Sequence, residues 1–320
     1  MSLTTVASTG IDPQKYFDSL LLARALPKLP FDMVTTKEKA KSLPSNSGNL
    51  ISFRKMEALA INLTPLTAGV TPTASSLVMS EVTVQPTQHG NHVITTDEVQ
   101  LLHTDPVANE GSKVLGENSG QTRNALIRAV AVTGTNVIYQ GTDTARNTLT
   151  DAKKMTHADV REAVVNLESN DALPFDGTRG EDGFGGLYMG IIHPRVYDDL
   201  IGDAKITDYL KYSDPTGFKN YSLPVVAGVA WLKSTTAPIF AGAGSGGDNV
   251  YGTLLFGKEA IGSPNIGGTG KSTMYVKPLG SSGADDPLNQ RASMGWKGWH
   301  ATLILNNSFF VRIETGATNG

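Results

Sequence analysis

Residues 50–102 constrain this chain more than any other stretch. They carry Thr, Val, Ile and Leu in broken alternation: Leu50-Ile51-Ser52-Phe53-Arg54, then Glu81-Val82-Thr83-Val84-Gln85, then His92-Val93-Ile94-Thr95-Thr96. Pro65, Gly69, Pro72 and a run of small polar residues separate the pieces. Alternation of period two predicts strands, and the separators predict turns. The stretch therefore reads as a long, thin β arm with its tip at residues 64–76. Its apolar content is too sparse for a core, and an isolated hairpin is marginal in water. Such an arm needs another surface to lie on.

The rest of the chain supplies a body. At 320 residues, with 39% hydrophobic and 18% charged residues, it can hold two lobes, or one domain with large excursions. Before the arm, Asp12-Pro13 predicts a helix start, and Phe17 and Leu20–Leu22 a small apolar face. Residues 31–49 read as a polar strap. After the arm, Leu115, Leu126, Val130 and Val137 recur at helical offsets, predicting a long helix over 107–140, roughly 50 Å in reach. Gly111, Gly116, Gly120 and Gly134 predict a bend or break in it, and Gly141 its C-terminal stop. A second helix over 156–171 is announced by Thr156, Asp159 and the stripe Val160, Ala163, Val164 and Leu167. Residues 187–262 alternate strand and helix (Leu187–Ile192, Arg195–Ile201, Pro224–Lys233, Val250–Phe256), which predicts a compact α/β lobe. Met274–Pro278 and Ala301–Glu314 read as further strands, the last of them central.

Charge and motif exclude more than they assign. A net charge of −3 is not that of a polyanion-binding protein, and Lys37, Lys39 and Lys41 read as a solvated strap. The absence of cysteine removes disulfides, thiolate metal sites and a cysteine nucleophile. No apolar run is long enough to span a membrane, and Leu20–Leu22 is too deep and too short for a leader, so synthesis in a cytoplasm is expected. Gly267–Thr273 suggests a phosphate loop, but Asn265 stands where that motif needs glycine and Met274-Tyr275-Val276 continues as strand. Gly242, Gly244 and Gly247 fit a dinucleotide pattern, yet lead into a strand with no βαβ unit around them. The six histidines, His89, His92, His103, His157, His193 and His300, contain no zinc-type pair. Asp198-Asp199 and Asp285-Asp286 are adjacent and point apart, while Asp203, Asp208 and Asp214 suit turns and caps. No catalytic, cofactor-binding or metal-binding residue is assigned.

Several segments carry a resemblance. They are Asp285-Asp286-Pro287-Leu288-Asn289-Gln290-Arg291, Gly295-Trp296-Lys297 and Ala301-Thr302-Leu303-Ile304-Leu305-Asn306. Earlier in the chain stand Leu43-Pro44, Ile51-Ser52-Phe53-Arg54, Gly69-Val70-Thr71-Pro72, Ile191-Ile192-His193-Pro194 with Asp199-Leu200, and Leu255-Phe256-Gly257 with Ala260. In order and spacing, from about residue 40 onward, the chain resembles the major capsid proteins of tailed phages, podovirus type. It departs at Ala68, where that family often has an acidic residue.

The resemblance implies an α+β chain with the Johnson fold. That fold has an N-terminal arm (1–45), an extended β-hairpin loop (46–104), a peripheral lobe with a long spine helix (105–178 and 274–320) and an axial α/β lobe (179–273). It implies a non-enzymatic shell protein that self-assembles as hexamers and pentamers in the virion capsid. Assembly is expected in the host cytoplasm, with portal, scaffolding and cement proteins as partners and DNA enclosed without sequence-specific binding. An encapsulin-type cellular compartment is the alternative. The residues expected to make assembly contacts are Arg54 and Lys55 at the hairpin base, Leu66 and Val70 near its tip, and Trp296 and Trp299 as anchors of the peripheral lobe, with an ordinary intrachain core as the alternative for the two tryptophans. Some shells of this fold are cross-linked from a hairpin lysine to an asparagine; Lys55 with Asn306 or Asn307 would be the pair here.

Overall fold

The structure, a computed structural model, describes residues 30–36, 41–42, 50–102 apart from 58, 67, 72 and 73, 107–175, 186–213, 225–267 apart from 226 and 265, 272–281 and 286–318. The helix expected after Asp12, the lysine strap at 37–40 and the phosphate-loop-like residues 268–271 lie outside these.

In chain order the main elements are strands β1 (Ile51–Met56), β2 (Met79–Val84) and β3 (Thr87–Thr96), then helices α1 (Asp97–Leu102) and α2 (Val107–Val132). Strand β4 (Val137–Tyr139) and helix α3 (His157–Ser169) follow, then β5 (Tyr188–Ile192), α4 (Pro194–Ile201), α5 (Ala204–Ser213), β6 (Val229–Lys233) and β7 (Val250–Phe256). The chain closes with β8 (Thr273–Lys277), β9 (Arg291–His300) and β10 (Phe310–Thr315).

Three sheets carry the architecture. Strands β1 and β2 form a hairpin in the register Ile51↔Val84 to Met56↔Met79. Strand β3, expected in the same arm, leaves it at buried Pro86 and pairs over its whole length with β9, in a sheet ordered β8-β9-β3. A central sheet runs β4-β10-β7-β5-β6, with Ile239–Phe240 added beside β7. It joins β4 and β10, from segments expected in the peripheral lobe, with β5 to β7, from the segment expected in the axial lobe. The cause is hydrophobic. β7 and β10 are buried on both faces, and each needs a neighbour at both edges.

Alternation sorts the two faces of the central sheet. Tyr251, Leu255, Val311 and Ile313 pack with α3 (Val160, Ala163, Val164, Leu167), α4 (Val196, Tyr197, Leu200) and Ile206 of α5. Leu254, Phe256 and Phe310 turn the other way, onto Ile127 and Ala131 of α2 and onto Phe31 and Val34. Local signals hold these helices in place. Asp159 Oδ2 accepts from Thr156 N and Thr156 Oγ1, both at 2.8 Å, closing the predicted capping box. His193 caps α4, with Pro194 at its first position. Asp203 Oδ1 accepts from Lys205 N at 2.9 Å at the start of α5, while Asp208 lies within that helix.

Helix α2 departs from expectation in three ways. It is an unbroken helix of 26 residues, about 39 Å long, despite Gly111, Gly116 and Gly120. It ends at Val132, so Val137 lies in β4 and Gly141 (φ +68°) in the turn after it. Its buried stripe is Ser112, Leu115, Gly116, Ser119, Gly120, Asn124, Ile127 and Ala131, with Leu126 and Val130 off it. This stripe is small and polar over its first half because α2 lies against β9 and β3 there. A Cβ on Gly111 would collide with the Met294 thioether. The segment predicted as one strand over 301–314 is instead a short pair (Leu303–Ile304 with Ile261–Gly262), a turn at Asn307–Phe309, and β10. β9 precedes it where no strand was expected.

The end of α2 is tied to the central sheet by charge. Arg312 on β10 donates to the carbonyls of Val132 and of Gly134 (3.0 Å), favourable at a helix C-terminus. Its Nε donates to Glu314 Oε1 at 2.7 Å, and Arg146 grips the same fully buried carboxylate through two nitrogens at 2.6 and 2.7 Å. That carboxylate hydrogen bond is the main cause raising the Arg146 pKa. A buried carboxylate is tolerable because it is fully paired.

Candidate assembly surface

The hairpin is anchored at one end only. Ile51 and Phe53 on β1 are buried with Ile266 and Leu303, against Val84, Trp299 and Leu305. Beyond them the burial stops. Met56, Leu59, Leu77, Val78 and Met79 are exposed, and Ile61 and Leu63 are 86% and 88% exposed. Residues 59–66 carry no regular structure, Thr64 N donates to Asn62 Oδ1 at 3.0 Å, and Gly69 turns the chain with φ +80°. Fully burying an aliphatic side chain is worth about 1.5–3 kcal/mol. Contiguous exposed apolar surface of this kind marks an interaction site.

The expected contact residues divide. Leu66 and Val70 are 74% and 64% exposed in the loop, available to a neighbour. Arg54 is exposed and faces Glu81 across the hairpin at 3.9 Å, a pairing worth at most about 1 kcal/mol. The side chain of Lys55 lies outside the described residues. Trp296 is 6% exposed, packs with Leu115, Met274 and Met294, and donates from Nε1 to Asn118 Oδ1 at 3.0 Å. Trp299 is part-buried in the cluster at the hairpin base. Asn307 is committed as well, accepting from Thr135 N at 3.0 Å and donating to Thr135 Oγ1 at 2.6 Å.

One signal was passed over in the sequence: residues 58–80 contain no Asp, Glu, Lys, Arg or His. An exposed loop that long would ordinarily carry solvating charge. Its absence singles this segment out.

The Gly242–Gly247 motif forms a turn. Gly242, Gly246 and Gly247 take positive φ in a turn whose Gly242 N donates to Asn249 Oδ1 at 3.0 Å, and the chain runs directly into β7. Among the described residues no group of His, Asp or Glu could hold a metal ion, and no helix is long and apolar enough to cross a membrane.

No protein-family model matches the chain, and no curated protein does. Solved structures do. The capsid of cyanophage Pam1 superposes with a TM-score of 0.71 at 15% identity, covering 93% of each chain. The capsid of cyanophage P-SCSP1u gives 0.68 at 15% identity, covering 90% of this chain and 88% of that one. A virus-like particle from Pyrococcus furiosus gives 0.51 at 12% identity, over 95% and 100%. The chain has the Johnson fold of tailed-phage capsid proteins, and the α+β expectation holds.

Proposed function

We propose that this chain is the major capsid protein of a tailed bacteriophage, self-assembling into the icosahedral head shell that encloses packaged double-stranded DNA. The observation that carries this reading is the hairpin. It is rooted in the body through Ile51 and Phe53, yet presents an uncharged loop with exposed Ile61, Leu63, Leu66 and Val70 to solvent. A free subunit gains nothing from that surface, whereas a lattice of copies buries it many times over. Weak contacts sum strongly when each subunit is held by several neighbours.

In this reading the role is structural rather than enzymatic. The subunit works in the virion after assembly in the host cytoplasm. Its first partner is itself, in hexamers and pentamers; a portal, a scaffolding protein and a cement protein complete the head. The net charge of −3 suits a wall that contains DNA without clamping it. Residues 1–45 act as the N-terminal arm and the hairpin as the extension loop. Residues 105–178 and 274–320, with α2 as the spine helix, form the peripheral lobe, and residues 179–273 the axial lobe. Arg54, Lys55, Leu66 and Val70 make the inter-subunit contacts.

The likeness to the Pyrococcus furiosus particle supports a second reading, a cellular nanocompartment of the encapsulin type, though with a lower TM-score than the phage capsids. Electron microscopy of the purified or co-expressed protein tests both. Closed icosahedral shells are expected. A monomer that stays dispersed at all concentrations, its hairpin folded onto its own body, overturns them.

A further inference from the structure

Helix α2 covers one face of the sheet β8-β9-β3, where Met274, Met294 and Trp296 bury against its Leu115. Alternation puts the residues between them on the opposite face. There Gly295 of β9 stands between Tyr275 of β8 and His92 of β3, both exposed. A glycine between two ring-bearing residues leaves a slot, part of a groove of about 400 Å³ along this face. Adjacent strands lie about 4.8 Å apart, so the flanking backbones are roughly 10 Å apart. A ring inserted midway sits at ordinary stacking distance from both walls.

The same face offers cations and no carboxylate: β3, β8 and β9 contain no Asp or Glu. Lys277 pairs with Ser293, two residues from Gly295 along β9, and Lys297 lies two residues from it in the other direction. Both lysines are exposed, and Lys297 Nζ stands 5.2 Å from the centre of the Tyr275 ring. At about 3.4 Å per residue, one cation lies roughly 7 Å to each side of the slot. Asp97 and Asp286, beyond the Arg291 end of the sheet, accept from the backbone N–H groups of Glu98 and Arg291 at 2.8 and 2.7 Å.

An extended peptide repeats this spacing, because its side chains at every second position share one side at steps of about 7 Å. We infer that this face binds an extended segment of another protein with the pattern acidic-x-aromatic-x-acidic. The ring enters the slot over Gly295, and the two carboxylates meet Lys277 and Lys297. Nucleic acid fits less well: it carries a phosphate at every nucleotide, and no described lysine or arginine lies between the two to meet those in the middle. A second copy fits less well too, since no aromatic residue of the 320 has acidic residues at both positions two away. Shells can close with this face empty, so the site stands or falls apart from the shell reading.

Fluorescence anisotropy of labelled peptides with the full-length chain tests the site. Ser-Glu-Ser-Phe-Ser-Glu-Ser should bind about ten-fold more tightly than Ser-Ser-Glu-Phe-Glu-Ser-Ser, whose carboxylates point away from the side of the ring. Tyr275→Ala should weaken the first peptide about three- to ten-fold, and Lys277→Glu with Lys297→Glu should abolish the difference between the two. Equal affinity for both peptides, no binding of the first at millimolar concentration, or binding indifferent to these substitutions overturns the site. Tighter binding of an oligothymidylate than of the first peptide overturns the protein partner. The peptide comparison needs only the parent chain, so a variant that fails to fold does not blunt it.

Discussion

His300 ends β9 where four parts of the chain meet. Arg123 of α2, Asp32 of the docked segment, His89 of β3 and the Thr302 hydroxyl, 3.0 Å from Nε2, all face it. Asp32 is itself paired with Arg123 at 2.7 Å and offsets only part of that cation. Burial first, then Arg123, lowers the His300 pKa from 6.5 to about 4. The folded state therefore holds the ring neutral where the unfolded chain protonates it. The resulting stability is complete above pH 6.5, declines as pH falls from there to about 4, and is flat below. Because the ring is only part-buried, the amount is about 2–3 kcal/mol rather than the full value of the shift. His300→Gln, which keeps a partner for Thr302, should flatten this decline in urea unfolding midpoints taken at pH 7.5, 5.5 and 4. Equal losses in variant and parent would show that other groups carry the acid sensitivity.

Among the elements, local signals explain what the sequence disclosed, and close approach of neighbouring parts of the chain explains what it hid. Strands β1, β2 and β7, the capping box of α3 and the Pro194 start of α4 were legible because side-chain alternation and caps act locally. β9 was not. Its buried positions Ala292, Met294, Trp296 and Gly298 do alternate, but Gly295 and Gly298 erase strand propensity. Those glycines are required by neighbours. A Cβ on Gly295 would stand 2.8 Å from Asn91 O, and one on Gly298 2.9 Å from Ser272 Cα. The end of α2 was hidden for a related reason. Gly134 reads like one more helical glycine, but it is where Phe310 of β10 presses on the chain leaving the helix. Phe310 is fully buried and stacked on Phe256 with centroids 5.9 Å apart, so it cannot yield. Gly134→Ala should cost about 1–3 kcal/mol by overpacking. Gly111→Ala meets only the flexible thioether of Met294 and recovers up to about 1 kcal/mol of helix propensity, leaving it near neutral. Thermal unfolding of the two variants separates the cases; equal losses would mean that the fit of Phe310 is looser than its contacts imply.

At the scale of the molecule, stability and assembly reside in different residues. The core lies in the clusters around the two larger sheets, and the loop beyond β1 and β2 contributes exposed surface instead. The candidate site was thus half legible: the arm and its exposed Leu66 and Val70 follow from the sequence, but the root of the arm needs Ile266 and Leu303, brought to Ile51 and Phe53 by chain closure across more than two hundred residues. Separation of the two roles makes a sharp prediction. Glu57 N still bonds to Val78 O at 2.9 Å, so the hairpin register persists to that pair. Replacing residues 58–77 by Asn-Gly, a two-residue turn suited to such a register, should leave the subunit folded. Its stability should change by less than about 1 kcal/mol, since loop-closure entropy varies slowly with length and the removed side chains were solvated. Shell formation should be lost, because each copy then has no loop to offer its neighbours. Calorimetry of the subunit together with electron microscopy reads both halves. A shortened chain that closes shells at the parent's concentration would place the cohesion of the lattice elsewhere. One that unfolds would mean that the loop braces the body after all.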